Sequence, residues 1–402
     1  MNNLPRNVWI LAIGQALIMS VNSCVVFVGG IVGSRIAPEG GLATLPVAST
    51  IVGTALFVVP VTLMMKRIGR RKAFLAIIVY SILIALFTAY SIHIQSFWLF
   101  CLGSLLLGVT AACVMQFRFA AMESVKHDQV ATAASSVLLG GIAAAFIGPE
   151  TALLGKDLMA TEFTGSFVLL AILFLVSFGV LLQFRNPPIQ ESSISGVQRS
   201  LLNISKQSVF WVAITAAAVG YTIMSFIMTA TPVSMHVMDG HSLSHTKWVI
   251  QSHIVAMFLP SLVTGKIINT FGVRSMMTVG LLAYILCIAI AFSGHALGNY
   301  WVSLILLGIG WNFLFIGGTT LLPTSYMPQE RFKVQALNDF MVFGSQAVAA
   351  TSAGWFVFAL GWETLLLCTL PLIAIQLIVV LRWGPVKTPL ATKVETAEET
   401  AD

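Results

Sequence analysis

Four side chains with metal-binding chemistry fall at helical spacing in one short part of the chain. Met224 and Met228 stand four residues apart, as do His253 and Met257, and residues four apart share one face of a helix. Three thioethers and one imidazole make a soft, uncharged ligand set, which suits Cu(I) far better than zinc, calcium or magnesium. Neutral ligands also spare an empty site the cost of a buried charge and allow the ion to leave again. Either pair alone is ordinary, because methionine commonly fills gaps in cores; their coincidence carries the signal. The stretch 221–258 holds five of the sixteen methionines and four of the seven histidines. Met235, His236, Met238, His241 and His245 lie between the two pairs and form a candidate entrance for the same ion. A solvated loop with incidental histidines accounts for those five equally well.

The elements that must position these residues are membrane helices. With 57% hydrophobic and 9% charged residues, the chain has too little charge to coat a soluble globule, where about 25% is usual. Apolar runs long enough to cross a hydrocarbon core of about 30 Å predict twelve crossings, at 8–34, 42–65, 73–94, 97–121, 130–154, 163–184, 208–234, 246–268, 275–295, 300–323, 337–360 and 363–383. The seventh rises and the eighth descends. At about 1.5 Å per residue, Met228 and His253 come out about 10 Å below the outer boundary, and Met224 and Met257 about 15 Å below it. The four side chains are level and near the midplane.

Lysine and arginine concentrate in the joints after even-numbered crossings, which places those joints and both termini in the cytoplasm. The formal net charge of +6 therefore reports topology and contact with lipid headgroups. The basic residues form no stripe, so no nucleic-acid partner is expected. The polar stretch 185–207 divides the chain into an N-terminal six-helix half, 1–184, and a C-terminal one, 208–383. Residues 384–402 lack an apolar face and read as a disordered cytoplasmic tail. The five cysteines are dispersed within crossings, with no CxxC pair and no disulfide framework. No GxGxxG after a strand, GxxxxGK[ST] loop or HExxH helix occurs, so neither an enzyme nor an ATP-driven pump is expected, and no permanent cofactor.

The halves echo each other. After the second crossing, Arg67, Gly69, Arg70 and Arg71 follow in close order; after the eighth, Gly265, Gly272 and Arg274 occupy the corresponding joint. A glycine there permits a tight turn, and the basic residues cap helix ends. Here the chain resembles the major facilitator superfamily, whose joint motif reads roughly G-x-x-x-D-R-x-G-R-R. Thr62 and Lys66 replace its first glycine and its aspartate, while Gly148 and Pro149 are similar to the glycine-proline motif of the family's fifth helix. The resemblance implies an all-α integral membrane protein of twelve transmembrane helices in two six-helix halves, a solute carrier working by alternating access around a central cavity.

Within that superfamily, Met-x-x-x-Met followed by His-x-x-x-Met resembles the CcoA-like branch, bacterial importers that supply copper for cytochrome oxidase assembly. The resemblance implies an inner-membrane copper importer with Met224, Met228, His253 and Met257 as transient ligands. Copper is then the transported substrate, and its cytoplasmic acceptor is unknown. The same branch includes riboflavin importers, and Trp311 and Asn312 in "GIGWNFLFIGG" are suited to stack on and hydrogen-bond an isoalloxazine ring. Drug or metabolite efflux is a third reading. Proton coupling has little support in the sequence: Glu150 falls near the outer end of the fifth crossing and Asp339 at the inner start of the eleventh, leaving no carboxylate at the midplane.

Overall fold

The structure, a computed structural model, describes residues 4–125, 130–186, 199–327 and 330–383. Most of the stretch 185–207 and the whole of the tail 384–402 lie outside the described residues. The helices, in chain order, are α1 (Arg6–Ile36), α2 (Leu45–Ile68), α3 (Arg70–His93), α4 (Phe97–Met115), α5 (Val130–Gly155), α6 (Thr164–Leu181), α7 (Ser208–Pro232), α8 (Leu243–Phe258), α9 (Ser261–Phe292), α10 (Leu297–Leu321), α11 (Arg331–Leu360) and α12 (Leu370–Arg382). A short helix, Phe117–Met122, extends α4, and another, Trp362–Leu367, precedes α12. Among the described residues there is no strand, as a chain in hydrocarbon requires when its sheets do not close. Ten stretches are long and apolar enough to cross a bilayer, α5 contributes a shorter apolar stretch, Leu139–Gly155, and α8 with the first turns of α9 makes the remaining crossing.

Two buried clusters divide the molecule. One runs from Val8 to Phe184; the other runs from Ile204 to Val380 and takes in Ala145 of α5. Large apolar side chains on the perimeter within the crossings, such as Leu83 (62%), Leu175 (60%) and Val348 (71%), are exposed, as side chains that face lipid are.

The internal repeat extends to individual bonds. Gly69 and Gly272 both adopt φ 81°, with ψ 152° and 157°, a conformation that a side chain disfavours. Two residues on, Arg71 donates to the Leu182 carbonyl at the end of α6, and Arg274 donates to the Leu381 carbonyl at the end of α12. Each guanidinium thus sits where the helix dipole presents negative charge. Arg70 holds Glu123 through two bonds, 2.7 and 2.5 Å. Arg67 is exposed, and Gly265 lies inside α9, about two turns before Gly272.

Three boundaries differ from the sequence expectation. The eighth crossing is not continuous over 246–268, because Pro260, which lacks an amide hydrogen, separates α8 from α9. The seventh continues past 234 as a wide turn, Val233–Met238, so Met235, His236 and Met238 prolong a helix instead of forming a free loop. The eleventh begins at Arg331 rather than 337, because its polar first turns project beyond the apolar slab that hydropathy detects.

Near the start of α11, Arg199 clamps Glu330 at 2.7 Å, and the Glu330 carboxylate is fully buried. It also accepts from the amides of Arg199 and Met327. The Arg199 bonds, followed by those amides, hold this carboxyl down at about 2. A carboxyl depressed in this way stabilises the fold fully above its ordinary value near 4.5 and loses that contribution as pH falls toward 2. Arg199→Met is expected to cost about 2 kcal/mol, less than a fully buried pair because Arg199 is 36% exposed. Thermal unfolding in detergent between pH 5 and 3 checks both statements: Glu330→Gln should flatten the acid loss.

Candidate functional site

Between the halves lies a cavity of about 500 Å³. The first half contributes Gln15, Met19 and Asn22 of α1, Thr50 and Thr54 of α2, and Met115 and Arg118 around the end of α4. The second contributes Tyr221, Met224, Ser225 and Met228 of α7, Met257 and Phe258 at the end of α8, Trp311 and Phe315 of α10, and Asn338, Asp339, Phe343 and Gln346 of α11.

Aromatic side chains from four helices build one wall. Trp311 and Phe315, one turn apart, stack with centroids 5.0 Å apart and planes at 15°. Tyr221 meets Trp311 edge-on at 5.1 Å and Phe343 at 5.8 Å, and Phe258 meets Trp311 at 6.0 Å. Such edge and offset contacts fix ring orientation. Gln15, Asn22 and Trp311 line the cavity, and their Oε1, Oδ1 and Nε1 atoms are buried without a hydrogen-bond partner among the described residues.

Three of the four candidate ligands, Met224, Met228 and Met257, line this cavity. His253 is fully buried, and its Nδ1–H donates to the Leu304 carbonyl of α10 at 2.7 Å. Because a carbonyl only accepts, the bond fixes the tautomer and leaves Nε2 as a bare lone pair, without a partner among the described residues. His253 is not among the residues lining the cavity. Asn312 is not among them either: its amide donates to the Met257 carbonyl at 2.7 Å and to the Ser261 hydroxyl at 2.6 Å, bracing the break at Pro260.

Of the candidate entrance residues, His236, His241 and His245 are neighbours, with the His241 and His245 ring centroids 6.4 Å apart. Met235 is fully buried, whereas Met238 is exposed. His236 Nδ1 bonds the His241 carbonyl at 2.7 Å, His241 Nε2 bonds the His295 carbonyl at 2.8 Å, and His245 is exposed at the start of α8. His295 bridges Asp239 and Glu363 at 2.7 and 2.6 Å, and these two carboxylates raise its pKa above the ordinary histidine value. Among the described residues, no group of three or more His, Cys, Asp or Glu side chains is placed to hold a metal ion.

Contacts between the halves gather at the end opposite the basic joints. Lys247 of α8 pairs with Glu150 of α5 at 2.7 Å. Gly354 of α11 packs where a side chain would meet the Gly41 carbonyl before α2, and Gly30 of α1 packs against Val233.

Sequence reasoning missed Tyr221, Phe315, Met19, Met115 and the threonines of α2. The Trp311-x-x-x-Phe315 spacing was a usable signal; the others come together only through tertiary packing.

The fold and the cavity define a membrane solute carrier. The Major Facilitator Superfamily model matches residues 11–250 and 234–401, and the chain belongs to that superfamily. It is 38% identical over 384 residues to the riboflavin transporter RfnT of Brucella anthropi, covering 94% of this chain and 96% of that one. It is 30% identical over 352 residues to the uncharacterized MFS-type transporter YddS of Bacillus subtilis, covering 82% and 80%. A bacterial homologue of the human lysosomal transporter Spinster, solved inward-facing and unoccupied, superposes with TM-score 0.67 at 14% identity, covering 96% of this chain and 100% of that one. These relations establish the superfamily, and they do not establish the copper-importing branch that the Met/His spacing resembles.

Proposed function

We propose that this protein imports riboflavin, or a solute of its class that joins a planar aromatic heterocycle to a polyol, across a bacterial inner membrane by alternating access. The observation that carries the reading is the aromatic wall around stacked Trp311 and Phe315 in a cavity of about 500 Å³. That size suits a small organic ligand and far exceeds the needs of a bare ion. Ring stacking on Trp311 would hold the heterocycle, and Gln15, Asn22, Thr50 and Ser225 suit the hydroxyls. The 38% identity to a riboflavin transporter over nearly the whole of both chains supports the same reading. The basic joints face the cytoplasm in this account, so the end closed by Glu150 and Lys247 is the outer one. Expression in a riboflavin-requiring bacterium that lacks its own uptake should restore growth on limiting vitamin. No growth, with the protein present in the membrane, rejects the reading.

Copper import is the second reading, favoured by the bare Nε2 of His253 and by Met224, Met228 and Met257 on the cavity wall. Radioactive copper uptake under reducing conditions separates the two. Under the riboflavin reading, wild type takes up no copper above background, and Met228→Leu, a nearly volume-conserving swap worth less than about 1.5 kcal/mol, leaves riboflavin uptake within about tenfold of wild type. Copper uptake that disappears in both Met228→Leu and His253→Leu at normal protein levels would establish copper instead.

A further inference from the structure

Asp339 and Arg118 are the only charged side chains among the described residues that line the cavity. They belong to different halves, Arg118 in the helix Phe117–Met122 and Asp339 in α11. The apolar run placed Asp339 at a helix start, in the interface. Asp339 lies two turns into α11, which begins at Arg331, at the inner edge of the apolar stretch Leu337–Leu360, and on the wall of the solute cavity. Asn338 donates to it at 3.1 Å, and Arg118 acts on it electrostatically. Tyr221 of α7 and Tyr326 after α10 are the other titratable groups on this wall, and α2 contributes the neutral Thr50 and Thr54. No histidine is among the described lining residues.

A carboxylate on the wall of a transport cavity is costly unless an ion path or a partner uses it. Here its partner rides on the opposite half. The distance between the two charges therefore changes whenever the halves rock, which makes their attraction a lever on the conformational equilibrium.

We propose that Asp339 is the proton-coupling site of this transporter and that Arg118 is its partner across the two halves. While ionised, Asp339 attracts Arg118 and holds the basic end shut when the cavity opens to the other side. A proton arriving from that side converts the carboxylate to the neutral acid, removes the attraction and lets the basic end open. The proton then leaves to the cytoplasm, and the carboxylate is ready for the next cycle. One proton enters per cycle, drawn from the transmembrane proton gradient, with no other reactant. The proposal rests on the alternating-access part of the function above and not on riboflavin in particular.

Two measurements on the purified full chain test it. In proteoliposomes, wild type should exchange tritiated riboflavin in counterflow, and one pH unit, acid outside, should raise net accumulation by up to about tenfold at one proton per solute. Asp339→Asn should keep counterflow and lose the response to the gradient. Independently of any solute, spin labels at Lys72→Cys, at the start of α3, and Leu202→Cys, in the segment leading into α7, both exposed, report the opening of the basic end in a Cys368→Ser background. Their separation should lengthen as the pH is lowered with Asp339 present and stay constant in Asp339→Asn. A pH-insensitive separation in wild type, or gradient-driven accumulation surviving in Asp339→Asn, overturns the proposal. If wild type shows no riboflavin counterflow while the label separation responds to pH through Asp339, the coupling stands and the riboflavin assignment falls.

Discussion

The Trp311→Ala transporter reaches the membrane at wild-type levels and takes up riboflavin at about a tenth of the wild-type rate or less. Stacking of a heterocycle on an aromatic side chain is worth about 1–3 kcal/mol, a factor of about 5 to 150. Trp311 is also the centre of the wall, since Phe315, Tyr221 and Phe258 all pack against it, so its loss releases the orientation of its neighbours as well. Trp311→Phe retains a stacking face and should recover most of the rate. The check is initial uptake of tritiated riboflavin, normalised to transporter in the membrane. Equal uptake by wild type and Trp311→Ala would remove the aromatic wall from the mechanism.

The second large effect belongs to the closed end. A Cβ at Gly354 would lie 2.5 Å from the Thr44 hydroxyl and 2.7 Å from the Gly41 carbonyl oxygen. That carbonyl is backbone and cannot swing aside as a side-chain tip can. Gly354→Val therefore places a steric cost of about 1–3 kcal/mol on the conformation in which the halves meet at this end. The open alternative escapes this cost, so the equilibrium shifts by about 5 to 150-fold. Uptake should fall by a similar factor with the protein still folded. A cysteine at Thr50, on the cavity wall, should react faster in this variant with a membrane-impermeant thiol reagent added outside. Unchanged uptake and unchanged reactivity would mean that the contact at Gly354 takes no part in the cycle.

The helical membrane fold was legible because apolar periods and lysine–arginine asymmetry report directly on the bilayer. The repeat was legible at Gly69 and Gly272, whose backbone angles agree within a few degrees. That Arg71 and Arg274 would each cap the last helix of their half was not, since those bonds span 111 and 107 residues. The four Met/His positions illustrate the limit of spacing. An i, i+4 relation fixes a shared helix face, but a ring nitrogen goes to whichever acceptor lies closest, and for His253 that is the Leu304 carbonyl. Asn312 shows the same limit, because its amide serves the interruption at Pro260, invisible in a continuous apolar run. Asp339 was legible as a residue near the inner start of the eleventh crossing, but its place on the cavity wall comes only from tertiary packing. The aromatic wall draws on α7, α8, α10 and α11, so only its Trp311–Phe315 pair left a trace in local sequence.

The most direct test of the central claim is titration of riboflavin with purified transporter in detergent, following flavin fluorescence. A ring stacked against Trp311 should be quenched, saturably and with one site per chain, and Trp311→Ala should abolish the effect. Flavin fluorescence that stays unchanged at saturating protein, with the same preparation withdrawing Cu(I) from a chelator, would contradict the account and return Met224, Met228, His253 and Met257 to the centre of the mechanism.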